Sequence, residues 1–400
     1  MRRTPDGWIE AKLGDIAEEV TVGHVGSMAS EYQESGVMFL RSQNIVPHGF
    51  DLSDVRHISP EFHARLRKSS LVAGDVVTVR TGKPGATAVI PDGWQAANCS
   101  DLVITRPGPN LDSRWLSYYI NSVAGGFISN RLVGAVQQHF NVGAAREMDL
   151  CLPSMREQRA IAEVLGALDD KIAANRKLAG TAESLLASRF AVLELDVDYG
   201  EKACLEEYFE LNPKCARPNV EEPVYLDMQK LPTSELLVSD WERRPAKGGA
   251  RFMNGDTLLA RITPCLENGK AGYVDFLEDG EVALGSTEYI VFRSRPAVPR
   301  ELAYFLVTSS RFRTMAIQHL VGTSGRQRLS ANDVAAFTVR RVNSETLMEW
   351  GQFASPLVEQ LGSLRDENRM LANIRDALLP RLMSGELRVR DAEKVVENVL

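Results

Sequence analysis

The chain has 400 residues, 44% of them apolar and 25% charged, with a formal net charge of −7. That is too much for one ordinary domain and enough for two or three, each with its own core; no window approaches the roughly 20 apolar residues of a membrane span, and the basic opening "MRRTPDGW" leads into no apolar signal region, so the expected setting is the cytoplasm, away from any membrane. Five cysteines, Cys99, Cys151, Cys204, Cys215 and Cys265, are scattered and never in C-x-x-C spacing, which argues against a disulfide framework and structural zinc and predicts reduced, mostly buried thiols.

In chain order, a short apolar strand turns polar in "FLRSQNI" (Phe39 to Ile45), and a "GD" turn feeds the apolar run "GDVVTVRTG" from Gly74. The β-rich "CSDLVITR" from Cys99 ends on an arginine, and "LSYYI" from Leu116 reads as helix. A long helix is predicted from about Met155 to Leu193. Its apolar positions Ile161, Leu165, Leu168, Ile172, Ala179, Ala182 and Leu186 step by threes and fours, a heptad seam rather than a broad amphipathic face.

The second half then repeats the series as "YLDMQKL" (Tyr225 to Leu231), "GDTLLARIT" from Gly255, "STEYIVFR" from Ser286 and "LAYFL" from Leu302. A second long helix follows from about Glu345 to Met383, with Leu357, Leu361, Leu364, Leu371, Leu378 and Leu382 on its seam. Pro356 and Pro380 are expected to mark a kink or the true start of that helix and a break near its end. The two helices share a phrase, "NRKLAGTAESLL" from Asn175 and "NRMLANIRDALL" from Asn368. Five matches in one order, at offsets between 181 and 193, indicate internal duplication.

A helix of about 35 residues spans roughly 50 Å, too long to bury its seam against one globular domain. The economical expectation is that the two helices pair with each other, antiparallel, because the second must return along the first. Asn175 and Asn368 fall in the seams. A polar residue there costs stability but fixes register, since any other alignment leaves its amide unpaired.

Familiar catalytic patterns are missing. "TGKPG" around Lys83 and "ENGKAG" around Lys270 lack the upstream glycine and following Ser/Thr of a phosphate loop and read as turns. His24, His48, His57, His63, His139 and His319 show no metal-ligand spacing, and there is no G-x-S-x-G elbow or G-x-G-x-x-G fingerprint. "LNPKC" from Leu211 opens like an amino-methyltransferase motif but lacks its aromatic stacking residue, and reads as a turn. A long, duplicated chain of this kind is expected to position something rather than react with it.

Charge is uneven along the chain. Residues 201–292 carry ten Lys/Arg against seventeen Asp/Glu, whereas 293–341 carry nine Arg against two acids, a local +7 that reads as a nucleic-acid footprint or as an accident of segment choice. The candidate DNA-binding residues stand in polar loops: Arg41, Gln43 and Asn44, then Arg80 and Lys83, then Gln137, Gln138 and Asn141 in the first half. In the second half they are Arg243, Arg244, Lys247 and Arg251, then Arg261 and Lys270, then Ser324, Arg326, Gln327 and Arg328. Arg forks match guanine and Asn or Gln amides match adenine in the major groove, while Lys and glycine-rich backbone suit phosphates.

"LPSMREQ" with "EQRAIAEVLGALDDKIAANRKLAGTAESLLASRF" resembles the central conserved region of the specificity subunits of type I restriction-modification systems. "ENRMLANIRDALLPRLMSGEL" resembles their distal conserved region, and "NGDTLLARITPCLENGK" with "GSTEYIVFR" is similar to one class of their target-recognition domains. Where the first helix is entered through "PSMREQ", the second is entered through "RRVNSETLMEW".

The resemblance implies an α/β fold class with two similar mixed α/β target-recognition domains, at 1–154 and 196–344. They would be separated by two long conserved helices, 155–195 and 345–400 with its tail, forming an antiparallel coiled coil with a pseudo-two-fold internal repeat. It further implies double-stranded DNA as ligand, each domain reading half of a bipartite sequence. Two methyltransferase subunits would dock on the helices and be joined by restriction/translocase subunits. This chain would be non-catalytic and bind no cofactor; its partners would use S-adenosylmethionine, ATP and Mg to methylate adenine or cleave DNA. The rival readings are a duplicated coiled-coil scaffold or adaptor without DNA binding, favoured by the overall acidity, and a self-contained restriction enzyme, disfavoured by the missing motifs.

Overall fold

The computed structural model describes residues 5, 7–130, 140–246, 248–323 and 325–400. The chain packs as two units, Met1–Ile172 with Met370–Leu400, and Ala173–Arg369. Each unit takes a globular region and part of each long helix.

Within the first unit, an antiparallel sheet runs in the order Thr87–Val89, Val76–Val79, Leu102–Pro107, Ala17–Val22. A second sheet has the order Tyr32–Gln33, Arg56–Ile58, Val37–Leu40, Ala97–Cys99, Ser70–Leu71, with Val37–Leu40 and Ala97–Cys99 parallel. Within the second unit the antiparallel sheet runs Ala271–Tyr273, Asp256–Ala260, Tyr289–Ser294, Phe209–Leu211. Its companion runs Glu242–Arg243, Val224–Leu226, Ala283–Gly285, Ala250–Phe252, again with one parallel pair, Val224–Leu226 against Ala283–Gly285. A further antiparallel pair joins Ile9–Lys12 to Asp149–Leu152 in one unit and Lys202–Cys204 to Thr338–Arg340 in the other. Strand order and sense therefore repeat; among the described residues the first unit adds the edge strand Tyr32–Gln33 and a short antiparallel pair, Ile45–Val46 with Gly49–Phe50.

The inner strands "VVTV" and "DTLLA" are buried at every position, the pattern of strands covered on both faces. The "GD" turn that precedes them needs its glycine: Gly74 and Gly255 have φ of +87° and +90°, where a side chain is strained. The aspartate of each turn is buried, Asp75 at 2% and Asp256 at 0% exposure. Its Oδ2 accepts a backbone N–H three residues back, from Val72 at 3.0 Å and Met253 at 2.9 Å. Each then faces the arginine near the end of the neighbouring strand. Arg293 Nε and Nη2 donate to Asp256 at 2.7 and 2.6 Å, and Arg106 Nε lies 3.6 Å from Asp75 and also reaches Glu19. Burial pushes both aspartate carboxyls up, and the backbone and arginine contacts oppose it.

The first long helix is Met155–Val192 and the second Ser344–Met383. Pro356 and Pro380 both lie inside the second helix, which corrects the start and break expected there. Each proline removes one N–H from the helix ladder, but packed Val358 and Leu361 beside one, and Leu378, Leu379 and Leu382 beside the other, hold the turns in place.

The seams are not covered by helix pairing alone. Ile161, Leu165, Leu168 and Ile172 share one core with Trp8, Trp115 and Tyr119 of the globular region, as well as with Leu371, Leu378 and Leu382. In the second unit Leu186 and Phe190 join Phe305, Trp350 and Leu361, with the Phe190 ring 5.8 Å from Phe305 and 6.4 Å from Trp350. Pairing is antiparallel. Arg375 Nη1 donates to Asp169 at 2.6 Å in the first unit, and Asn175 Nδ2 donates to Asn368 Oδ1 at 3.1 Å and Glu367 Oε2 at 2.6 Å in the second. Asn175 is 4% exposed.

Of the cysteines, all free, only Cys99 is buried and Cys204 is exposed, which corrects the expectation of mostly buried thiols. Among the described residues no helix is long and apolar enough to cross a membrane.

Removing the guanidinium from the Asp256 pair leaves a buried carboxylate with no opposite charge beside it, so Arg293→Ala is expected to destabilise the second unit by about 3 kcal/mol in urea titration; a loss under about 1 kcal/mol would show that Asp256 is solvated or neutral without cost. For the helix seam, Asn175→Leu strands the Asn368 amide and lowers the melting temperature, whereas replacing both asparagines raises it. Additive effects in the double-mutant cycle would exclude direct coupling between them.

Candidate nucleic-acid interface

In the first unit, strand Val37–Leu40 runs into Arg41 and the short turn Ser42–Asn44. The turn is built by Asn44, whose Oδ1 accepts the Arg41 N–H at 3.0 Å and whose Nδ2 donates to Asp51 O at 2.9 Å. At 1% exposure Asn44 reads no base. It is a loop-forming residue, and its place among the DNA candidates is corrected. Its neighbours face outward but are held: Arg41 Nη2 and Gln43 Nε2 both donate to Asp54 Oδ2, at 2.9 and 2.8 Å. Arg41, foremost, holds the Asp54 carboxyl below the usual carboxylate range.

The inner strand Val76–Val79 ends before Arg80, whose Nη1 donates to Asp101 Oδ1 at 2.6 Å. Lys83, three residues further, is exposed and has no ion-pair partner among the described residues. A concavity of about 790 Å³ separates the two loops, with Gln43 and Ser42 on one wall and Thr81 and Lys83 on the other. Asn141 caps the helix Val142–Arg146 by accepting the Ala144 N–H at 2.9 Å, so its carbonyl end serves the fold. Gln137 and Gln138 lie outside the described residues.

The second unit repeats the central feature. The strand Asp256–Ala260 ends before Arg261, whose Nε donates to Glu288 Oε2 at 3.0 Å. A backbone bond is repeated with it: Phe140 N–H donates to Arg80 O at 3.1 Å, and Leu329 N–H to Arg261 O at 2.8 Å. Arg328 lies on the same carboxylate, with Nε at 2.9 and 3.0 Å and Nη2 at 2.8 Å. Arg328, with Arg261 beside it, holds the Glu288 carboxyl below its ordinary range against the effect of burial. The loops at 261–270 and 325–328, distant in sequence, are thus one surface. Gln327 N–H donates to Thr263 Oγ1 and Thr263 N–H to Gln327 O, both at 3.0 Å. Arg326 is exposed there and unpaired among the described residues. Ser324 and Lys247 lie outside the described residues.

Other candidates are placed differently. Lys270 spends its ammonium on three carbonyls, Met228 at 2.7 Å and Gln229 and Leu231 at 2.9 Å, so it ties loops together and is removed from the DNA candidates. Arg251 Nη1 donates to Cys215 O at 2.8 Å, a bond within the fold. Arg243 is bidentate on Glu281, and Arg244 pairs with Asp227 and Glu242 while lying 4.1 Å from the Tyr225 ring centroid. No ion pair joins these two to the Arg261 cluster among the described residues.

The +7 stretch is largely neutralised in three dimensions. Five of its nine arginines, Arg293, Arg311, Arg328, Arg340 and Arg341, pair with Asp256, Asp196, Glu288, Glu194 and Glu201 or Glu207. The acids come from upstream sequence that folds onto the stretch, which a count along the chain does not see. Sequence reasoning also missed Asp101 and Glu288, although "CSD" and "STE" precede the same strand in each half and carried that signal.

No protein-family model matches the chain. The type I restriction enzyme EcoAI specificity subunit of Escherichia coli is 29% identical over 139 residues, covering 33% of this chain and 23% of that protein. The EcoEI specificity subunit, also of Escherichia coli, is 29% identical over 156 residues, covering 38% and 26%. The chain therefore spans about a quarter of the length of these curated relatives. The S subunit of the type I restriction-modification system of M. genitalium superposes with a TM-score of 0.57 at 14% identity, covering 96% of this chain and 97% of that one, a shared fold.

These placements separate two kinds of cation. Lys270→Ala is expected to cost about 1–3 kcal/mol of stability, because three carbonyls lose their donor, with no change in any salt dependence of DNA binding. Arg326→Ala is expected to leave the melting temperature in place and to make the slope of log K against log salt shallower by about 1. The reverse pattern in anisotropy titrations would exchange the two roles.

Proposed function

We propose that this chain, which has the fold of a type I specificity subunit and shares sequence with two of them, is the DNA-recognition subunit of such a system. The observation that carries the reading is the doubled site: two globular regions of one strand order, each presenting an arginine–carboxylate pair at the end of its inner strand, at Arg80–Asp101 and Arg261–Glu288. Each region reads one half of a bipartite sequence in double-stranded DNA. Arg41, Gln43, Arg80, Arg261, Gln327 and Arg328 are the side chains suited to base edges, and Lys83 and Arg326 those suited to phosphate.

Either region alone would discriminate weakly. Joining two readers in one chain makes the second contact intramolecular and multiplies specificity. The chain supplies no catalysis and binds no cofactor. Two methyltransferase subunits dock on the long helices and modify adenine with S-adenosylmethionine, and restriction/translocase subunits cleave with ATP and Mg. An apolar stripe on the first helix supports a docking role: Leu178, Leu185 and Val192, seven residues apart, are 48%, 46% and 72% exposed, a spacing that fits a partner helix.

The adaptor reading draws on the ion pairing that neutralises most of the basic stretch. It expects no steep salt dependence on duplex DNA, which a gel shift with the methyltransferase partner present would reveal.

The reading also treats the helices as a spacer. Inserting one turn, about four residues, near Lys177 to Thr181 is expected to change the gap between the two recognised half-sites and leave the half-sites themselves unaltered. Sequencing of methylated adenines in cells carrying the variant would show it, and an unchanged gap would exclude the spacer role.

A further inference from the structure

In both units an acid occupies the arginine that the proposed function assigns to DNA. Asp101 and Glu288 stand just before the strands Leu102–Pro107 and Tyr289–Ser294, and each takes the arginine at the end of the adjacent inner strand. Glu288 takes Arg328 as well. Asp54 holds Arg41 and Gln43 in the same manner. These are not core acids: the side chains of Asp101 and Glu288 are 40% and 20% exposed, and pairs that water reaches contribute little to folding. A surface that had only to attract DNA would do better without them.

We infer that Asp101 and Glu288 set specificity by standing in for phosphate, and this rests on the DNA-recognition reading above. A carboxylate presents two oxygens to the same donor fork that a phosphate or a guanine edge would fill. Because it belongs to the same chain, it competes at high effective concentration. A random duplex offers the arginines only phosphates, a near-equal exchange for the carboxylate already in place. A matched site adds base-edge hydrogen bonds and displaces it. Non-specific binding is lowered more than specific binding, and the ratio between them widens. Asp101 and Glu288 act through Arg80, Arg261 and Arg328 and are positioning residues.

The test uses the full-length chain and a labelled duplex of about 30 base pairs of random sequence, titrated across salt concentrations. Glu288→Gln frees two guanidiniums and is expected to bind that duplex about tenfold more tightly at low salt, with a slope of log K against log salt steeper by about 1 to 2. Asp101→Asn should steepen it by about 1; Asp101 has a φ of 50°, a conformation asparagine accepts, so this variant keeps the backbone if Glu288→Gln does not fold. Glu288→Asp should keep the original slope. A merely structural role predicts a lower melting temperature and weaker binding, and that result, or an unchanged slope in folded variants, overturns the inference alone. An unaltered chain that, with its methyltransferase partner present, binds no duplex in a salt-dependent way overturns the DNA reading and the inference together.

Discussion

A helix of 38 or 40 residues with an apolar seam must have that seam covered along its whole length, and this requirement organises the chain. Neither helix can do it from within, and neither globular region is long enough to do it alone. Each unit therefore contributes core residues to the stretch of helix it contains, Trp115 and Tyr119 in one and Phe305 and Trp350 in the other, while the partner helix covers the rest. Into this seam the chain places Asn175 against Asn368 and Glu367. Leucine there would bury more apolar area, but an amide has one alignment in which its hydrogen bonds are met.

The globular regions are built around two adjacent antiparallel strands tied at both ends by ion pairs of opposite sense. At one end the acid stands at the start of the inner strand, as Asp75 with Arg106 and Asp256 with Arg293; at the other an arginine stands just past its end, as Arg80 with Asp101 and Arg261 with Glu288. The first end is buried and serves the fold, since a lone carboxylate there would be costly. The second is open to water, where a pair is weak and exchangeable. One strand pair thereby carries a structural charge at its closed end and an available one at its open end.

Much of the architecture was legible along the chain because its causes are local. Threes and fours of apolar spacing mark the long helices within a residue or two of Met155–Val192 and Ser344–Met383, since a helix face repeats with the sequence itself. The "GD" turns, the buried β runs and their repetition in order reflect backbone requirements that each segment meets by itself. The asparagine-led phrase marked two seam positions for the same reason.

Which polar residues are free to meet a ligand was decided only by tertiary structure. Asn44 and Lys270 look like readers of base and phosphate in sequence, yet one is buried in its own turn and the other is spent on three carbonyls. Arg293 and Arg326 belong to the same basic stretch, but only Arg326 stands exposed and unpaired among the described residues, because Asp256 folds onto Arg293 from 37 positions away. Hydrogen-bond capacity is a property of the residue and is written in the sequence; whether that capacity is already used depends on groups brought from elsewhere in the chain, which the fold alone supplies.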